Sequence, residues 1–319
     1  MQSLINFPAY SISLNPLYIK IGNHKRDIML DQLGLGLNEQ EKAKQQMVLQ
    51  RLKERYHNYS DPWGFDLNTV GKALSILLPI YSRYFKVRVF GAENIKDEPY
   101  IFVSNHTGQI PIDGALITLA TALESNPPRI LHSMVERFLA SFPFLGDLSA
   151  QTGSILGDRE NCKWLLNKKE SILVFPEGVR GISKSTSHFY ELQPFTNGFY
   201  RIALNTKTKI LPVTVVGAEE MFPLVVHAKK AGKALGLPTL PISANLFPLP
   251  SPIDIYFGEP IELPEQLDAE AQDKEIRPHV HEIEKVIKGQ IKHGLENKRE
   301  FLEPLKRPVE FISRLKEFL

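Results

Sequence analysis

Cysteine is almost missing. Cys162 is the one cysteine in 319 residues, so no internal disulfide can form, and no Cys/His pairs stand at zinc-ligand spacing. A reducing compartment and the absence of a structural metal are the expectations. Long apolar runs are missing too: Leu74 to Ile80 and Ala115 to Leu123 fall well short of the roughly 18 residues that span a bilayer. The start, MQSLINFPAYSISLNPLYIK, is cut by Pro8 and Pro16 and lacks the charged head and unbroken apolar segment of a signal peptide. Charge of one sign is not in excess, since Lys+Arg 38 against Asp+Glu 36 leaves +2, and no whole-chain field draws nucleic acid. The glycines form neither a Walker nor a dinucleotide pattern, and there is no G-x-S-x-G elbow for a covalent serine enzyme.

What is present is a core-forming α/β chain. Hydrophobic content of 43% is ample, and the length suits one large α/β unit with terminal extensions. Apolar runs at 86–90, 100–103, 130–133, 153–159, 171–175, 210–216 and 253–257 predict strands. Helical patterns cover 38–57, 69–84, 111–123, 160–170 and the stretch from Asp268. Their alternation predicts a mostly parallel central sheet flanked by helices, with helical N- and C-terminal extensions. Residues 171–175, SILVF, read as a strand buried on both faces. The charged helix at 38–57, with Asn38 as its cap, is expected to be solvated or to face a partner. The apolar helix at 69–84 is expected to pack on the core rather than on a bilayer. Residues 1–35 are irregular and suggest no chemistry, and 217–250, rich in Pro, Gly and Lys, suggest a long surface excursion. In the tail, 304–319, Val309, Ile312, Leu315 and Phe318 make an apolar side flanked by Lys306, Arg307, Arg314 and Lys316. Such a helix fits a membrane interface, its own domain or a second subunit.

The chemistry is expected at 101–113, IFVSNHTGQIPID. On one continuous helix His106 and Asp113 would stand roughly 10 Å apart along the axis, too far to hydrogen-bond. His106 must therefore precede the helix. Pro111 suits the first helical position, Asp113 falls in the first turn where the dipole favours a carboxylate, and Gly108 lets the chain fold back. An imidazole oriented by a carboxylate can take a proton from a hydroxyl. The alternative is a first-turn acid and an unrelated loop histidine.

A basic loop complements this pair. FPEGVRG, 175–181, follows a buried strand and carries Glu177, Gly178 and Arg180, with Lys184 shortly after. The guanidinium of Arg180 matches phosphate oxygens, and Arg159 ends another strand in a similar setting. The alternative is that Glu177 pairs with Arg180 to staple the loop. Because parallel sheets bind ligands beyond the carboxyl ends of their strands, His106, Arg159 and this loop are expected at one edge.

Four stretches in order, NHTGQIPID at 105–113, GSILGDR at 153–159, FPEGVRG at 175–181 and ILPVTVVGAEE at 210–220, resemble the glycerolipid acyltransferase family, which includes the lysophosphatidic acid acyltransferases. The resemblance covers about 61–264, leaving 1–60 as an N-terminal extension and 265–319 as C-terminal helices for membrane or oligomer contact. It implies His106 as general base, Asp113 as its orienting acid, Arg159, Glu177, Gly178, Arg180 and Lys184 as acceptor-binding residues, and Pro212 as support for the wall of the site. It implies an acyl-CoA or acyl-carrier-protein donor, a lysophospholipid acceptor such as 1-acylglycerol-3-phosphate, no cofactor and no metal. It also implies no nucleic acid partner and a cytoplasmic protein peripheral on the inner face of a membrane. The family's usual first motif has four residues between His and Asp, whereas Thr107 to Ile112 makes six here. That form is similar to a divergent branch near the monoacylglycerol and diacylglycerol acyltransferases. A neutral glycerolipid or other alcohol is thus an alternative acceptor, and a catalytically silent lipid-binding or interaction protein is a second alternative.

Overall fold

The computed structural model describes residues 36–107, 112–136, 145–182, 184–222, 225–228, 240–243, 245 and 247–299. In chain order its first half comprises α1 (Glu39–Arg55), α2 (Leu67–Pro79), β1 (Arg88–Phe90), β2 (Ile101–Ser104), α3 (Ile112–Glu124), β3 (His132–Val135), α4 (Leu145–Gln151) and β4 (Ile155–Leu156). Then follow α5 (Arg159–Asn167), β5 (Ile172–Val174), α6 (Val179–Ile182), α7 (Gly198–Thr206), β6 (Ile210–Val216), β7 (Val225–Ala228), β8 (Leu240–Ser243), β9 (Asp254–Phe257) and α8 (Asp273–Glu296).

Seven strands form one sheet in the order β1-β9-β6-β2-β5-β3-β4. β6, β2, β5, β3 and β4 are mutually parallel, and β9 turns antiparallel to β6. The central strands are apolar on both faces because both are covered. On one face Phe102, Leu173, Leu211, Val213 and Val215 pack with α1, α2 and α3. On the other, Ile101, Val103, Ile172 and Ile210 pack with α5, α7 and α8. The expected mostly parallel, helix-flanked sheet is the observed one.

Several elements differ from expectation. α1 is capped as expected, Asn38 and Glu41 exchanging side chain-to-backbone bonds of 2.9 and 3.0 Å, but it is not a free-standing surface helix. Val48, Leu52 and Tyr56 form a narrow buried stripe against α2, so the described part of the N-terminal extension shares the core of the sheet domain. α2 buries Val70, Leu74 and Leu78 as expected, yet gives way at Pro79 to a wider π turn, Ile80–Tyr84. Proline has no N–H to continue the regular ladder. α7 has no counterpart in the expected elements. The surface excursion contains the antiparallel hairpin β7–β8. The expected docking face of α8, Ile276, Val280, Ile283, Ile287, Ile291 and Leu295, is buried through Ile291, but Leu295 in the last turn is exposed. The irregular 1–35, the tail 304–319, Gly108 and Pro111 lie outside the described residues.

Pro212 sits within β6, where a proline ordinarily costs a ladder bond. Here its carbonyl accepts from the Gly258 N–H at 2.8 Å, and pairing with β9 begins one residue later, at Val213. His132 on β3 is 0% exposed. Its Nδ1–H donates to the Gly153 carbonyl at 3.1 Å, and its Nε2 lies 3.3 Å from the Tyr59 hydroxyl. Burial pushes its pKa down to about 4, which favours the neutral ring.

Candidate active site

The parallel strands all end at one edge, which collects the turns after β2, β3, β4, β5 and β6. His106 leaves β2 two residues past its end. Its exit is fixed by Asn105, whose side-chain amide donates to the Val215 carbonyl at 3.1 Å and accepts the Val215 N–H at 2.9 Å. The side chain thus extends the β2–β6 ladder by one rung after the backbone has turned away. Asn105 opens the NHTGQIPID stretch but carried no role in the sequence reading.

His106 Nδ1 lies 2.7 Å from Asp113 Oδ2. The same carboxylate accepts the Thr107 N–H at 2.9 Å and the Gly114 N–H at 2.8 Å. Asp113 is 0% exposed, in the opening turn of α3 as the spacing predicts. Because a carboxylate only accepts, Nδ1 carries the proton and Nε2 presents its lone pair outward. The ring stacks on Phe175 at 4.2 Å between centroids, a contact the sequence did not reveal.

The FPEGVRG turn supports this pair from below. Glu177 Oε1 accepts the backbone N–H of His106 at 2.7 Å, and Oε2 accepts the Gln193 N–H at 2.7 Å. Both oxygens are committed inside the protein. Gly178 holds φ +58, a left-handed conformation that favours glycine. Gly181 lies so close that a Cβ there would fall 2.6 Å from His106 Cβ.

The expected cations do not converge. Arg180 is exposed and donates to carbonyl oxygens, that of Pro194 at 2.8 Å and, weakly, that of Glu177 at 3.4 Å. It does not pair with the Glu177 carboxylate, so the staple runs through the backbone. Lys184 is 7% exposed, its ammonium 2.9 Å from Glu219 and 3.6 Å from Glu177. It sits behind the histidine, on carboxylates. Arg159 opens α5, exposed and without a side-chain partner among the described residues. With β4 three strands from β2, it stands roughly 14 Å across the edge at about 4.8 Å per strand. Burial pushes the Glu219 carboxyl up to about 7, against the pull of Lys184.

His106 lines one cavity of about 430 Å³. Its walls are mainly apolar, with Leu74 and Leu77 of α2, Leu119 and Ala122 of α3, and Met134 of β3. Gly178 and Phe175 also face it, whereas Pro212 does not. The arrangement can take a proton from a group delivered to Nε2 beside a space fit for a hydrocarbon chain. Among the described residues no cluster of three His, Cys, Asp or Glu side chains could hold a metal, and no helix is long and apolar enough to cross a membrane.

Residues 86–216 match the family model described as Acyltransferase. An uncharacterised protein of Mycobacterium tuberculosis is 33% identical over 224 residues, covering 67% of this chain and 63% of that protein. The chain therefore spans under two thirds of the length of this relative. A 1-acyl-sn-glycerol-3-phosphate acyltransferase of Saccharomyces cerevisiae is 30% identical over 140 residues, 40% of this chain and 42% of that one. The crystal structure of the 1-acyl-sn-glycerophosphate acyltransferase of Thermotoga maritima overlaps 82% of this chain and 99% of its own, with a TM-score of 0.47 at 17% identity.

Proposed function

Since the chain belongs to the acyltransferase family whose model matches residues 86–216, we propose that it is a glycerolipid acyltransferase, moving a fatty acyl group from a thioester, acyl-CoA or acyl-carrier protein, to a hydroxyl of a lysophospholipid such as 1-acylglycerol-3-phosphate. One observation carries the reading: the 2.7 Å His106–Asp113 pair opening onto an apolar cavity. In this mechanism Nε2 of His106 takes the hydroxyl proton as the oxygen attacks the thioester carbonyl. The C–S bond then breaks, and the leaving thiolate takes that proton back from the imidazolium. Asp113 fixes the tautomer and offsets the positive charge that develops on the ring. The cavity holds the acyl chain, and no acyl-enzyme forms. Arg159 and Arg180 are the candidates for an acceptor phosphate, and the protein works peripherally at a membrane surface that holds the acceptor.

A neutral glycerolipid or other alcohol is the second reading, and it too rests on a specific observation. Lys184 is spent on two carboxylates and Arg180 donates to carbonyl oxygens, which leaves Arg159 as the one uncommitted cation of the three.

Thiol release from acyl-CoA and acyl-carrier protein, measured with 1-acylglycerol-3-phosphate, monoacylglycerol and diacylglycerol, tests both. His106→Ala should lower turnover at least about hundredfold, as expected for loss of a general base, with the melting curve unchanged. Unchanged turnover would reject the mechanism. Co-purified lipid without thiol release from either donor would favour a silent lipid-binding protein.

A further inference from the structure

Three ionisable side chains form a buried file behind the histidine. Glu219, on the turn after β6, is 2.9 Å from Lys184; Lys184 is 3.6 Å from Glu177; and Glu177 accepts the His106 N–H at 2.7 Å. All three are under 8% exposed. Buried ions cost desolvation that packed apolar side chains of equal volume avoid, so such a file is poorly explained by stability alone. Its last member touches the backbone of the residue whose placement matters most.

We propose that Lys184 and Glu219 are positioning residues for His106: Lys184 holds the Glu177 carboxylate in line with the His106 N–H, and Glu219 aims the ammonium. The inference rests on the reading of His106 as the base. Glu177 places both oxygens on N–H donors, His106 and Gln193, bonds that are strongest to a charged and fixed carboxylate. Lys184 is the cation that faces it. Glu219 also accepts the Tyr190 N–H. Tyr190 in turn gives its hydroxyl to Glu220, which pairs with Lys298. Among the described residues, the groups facing His106 itself are Asp113, Glu177 and the Phe175 ring.

The test measures kcat, KM and the titration midpoint of the His106 imidazole, the last by NMR on the full substrate-free chain. Lys184→Met is expected to lower kcat about ten- to hundredfold, the scale of a misplacement near 1 Å, with KM for the thioester within about twofold. Loss of the cation should move the His106 midpoint up, and with it the acid limb of the kcat profile, by about half a pH unit. Lys184→Arg should restore most of the activity. The double variant Lys184→Met/Glu219→Gln strands no Glu219 charge and should fold where Lys184→Met does not; its kcat stays low. Full activity in the folded double variant, or an unmoved His106 midpoint in Lys184→Met, would overturn the proposal. A wild-type chain that releases no thiol with any acceptor would sink the acyl-transfer reading, while the titration still reports on Lys184.

Discussion

Gly181→Ala offers the sharpest structural test of the site. The added methyl would stand 2.6 Å from His106 Cβ, 3.0 Å from Glu177 Cβ and 3.3 Å from Glu177 Cδ. Comfortable carbon contacts lie near 3.5–4.0 Å, so the deficit is about 1 Å. Two of the three atoms are Cβ atoms fixed by backbone, and no rotamer change relieves them. Either His106 moves off its bond to Glu177, or the single turn α6 withdraws and carries Val179 and Ile182 from the cavity wall. A displacement near 1 Å at the reacting group costs about hundredfold in kcat, about 2.7 kcal/mol of barrier, and the overpacking itself costs about 1–3 kcal/mol of stability. Gly289→Ala supplies a matched background: it lies on the exposed side of α8 with nothing within 4 Å, and alanine there should add about 0.5–1 kcal/mol. Steady-state thiol release from Gly181→Ala/Gly289→Ala, scaled by the folded fraction from urea melts, isolates the catalytic effect. Wild-type kcat in that double variant would refute the claim that the FPEGVRG turn is fitted against the histidine.

Two further outcomes are expected. Ala122 lines the cavity nine residues beyond Asp113 on the same helix, roughly 13 Å along its axis. Ala122→Phe should lower kcat/KM for long-chain thioesters at least about tenfold more than for short ones, and equal losses across chain lengths would deny the cavity to the acyl chain. His132, held neutral, has a folded pKa below its unfolded one. Stability is therefore full above the ordinary histidine range and falls as pH drops from about 6.5 towards the folded value of about 4. Below that the loss is complete, at about 3 kcal/mol. Urea melts at pH 7 and pH 5 should show a shallower loss in His132→Asn, and an equal slope would reject the buried neutral ring.

The sheet was readable because its strands are short apolar runs closed by polar turns, and β6 matches its expected span, 210–216. Helix geometry showed only that His106 must precede the helix that carries Asp113; that the two side chains meet was one of two readings, and their 2.7 Å contact is the one observed. The surroundings were not readable. α7 begins with glycine and is only nine residues long, and its N-cap Asn197 makes no side-chain cap bond. Lys184 was expected to meet a phosphate, and nothing near it in sequence foretells Glu219, 35 residues on. The commitment of Arg180 to the Pro194 carbonyl and the bridge from Asn105 to Val215 are tertiary in the same sense. The one available signal for Glu219 was positional: an acid just past a central strand, at the edge where parallel sheets bind their ligands.

The Asn105 bridge spans 110 residues of chain, which bears on how the protein is born. During synthesis the loop that carries His106 emerges long before its anchor, so a nascent chain lacking 210–216 holds His106 on an untied end. Competence to react thus arrives late, with closure of a non-local contact of the kind that slows folding. On the proposed mechanism, a fragment stopped short of that strand would be inert while still carrying both His106 and Asp113.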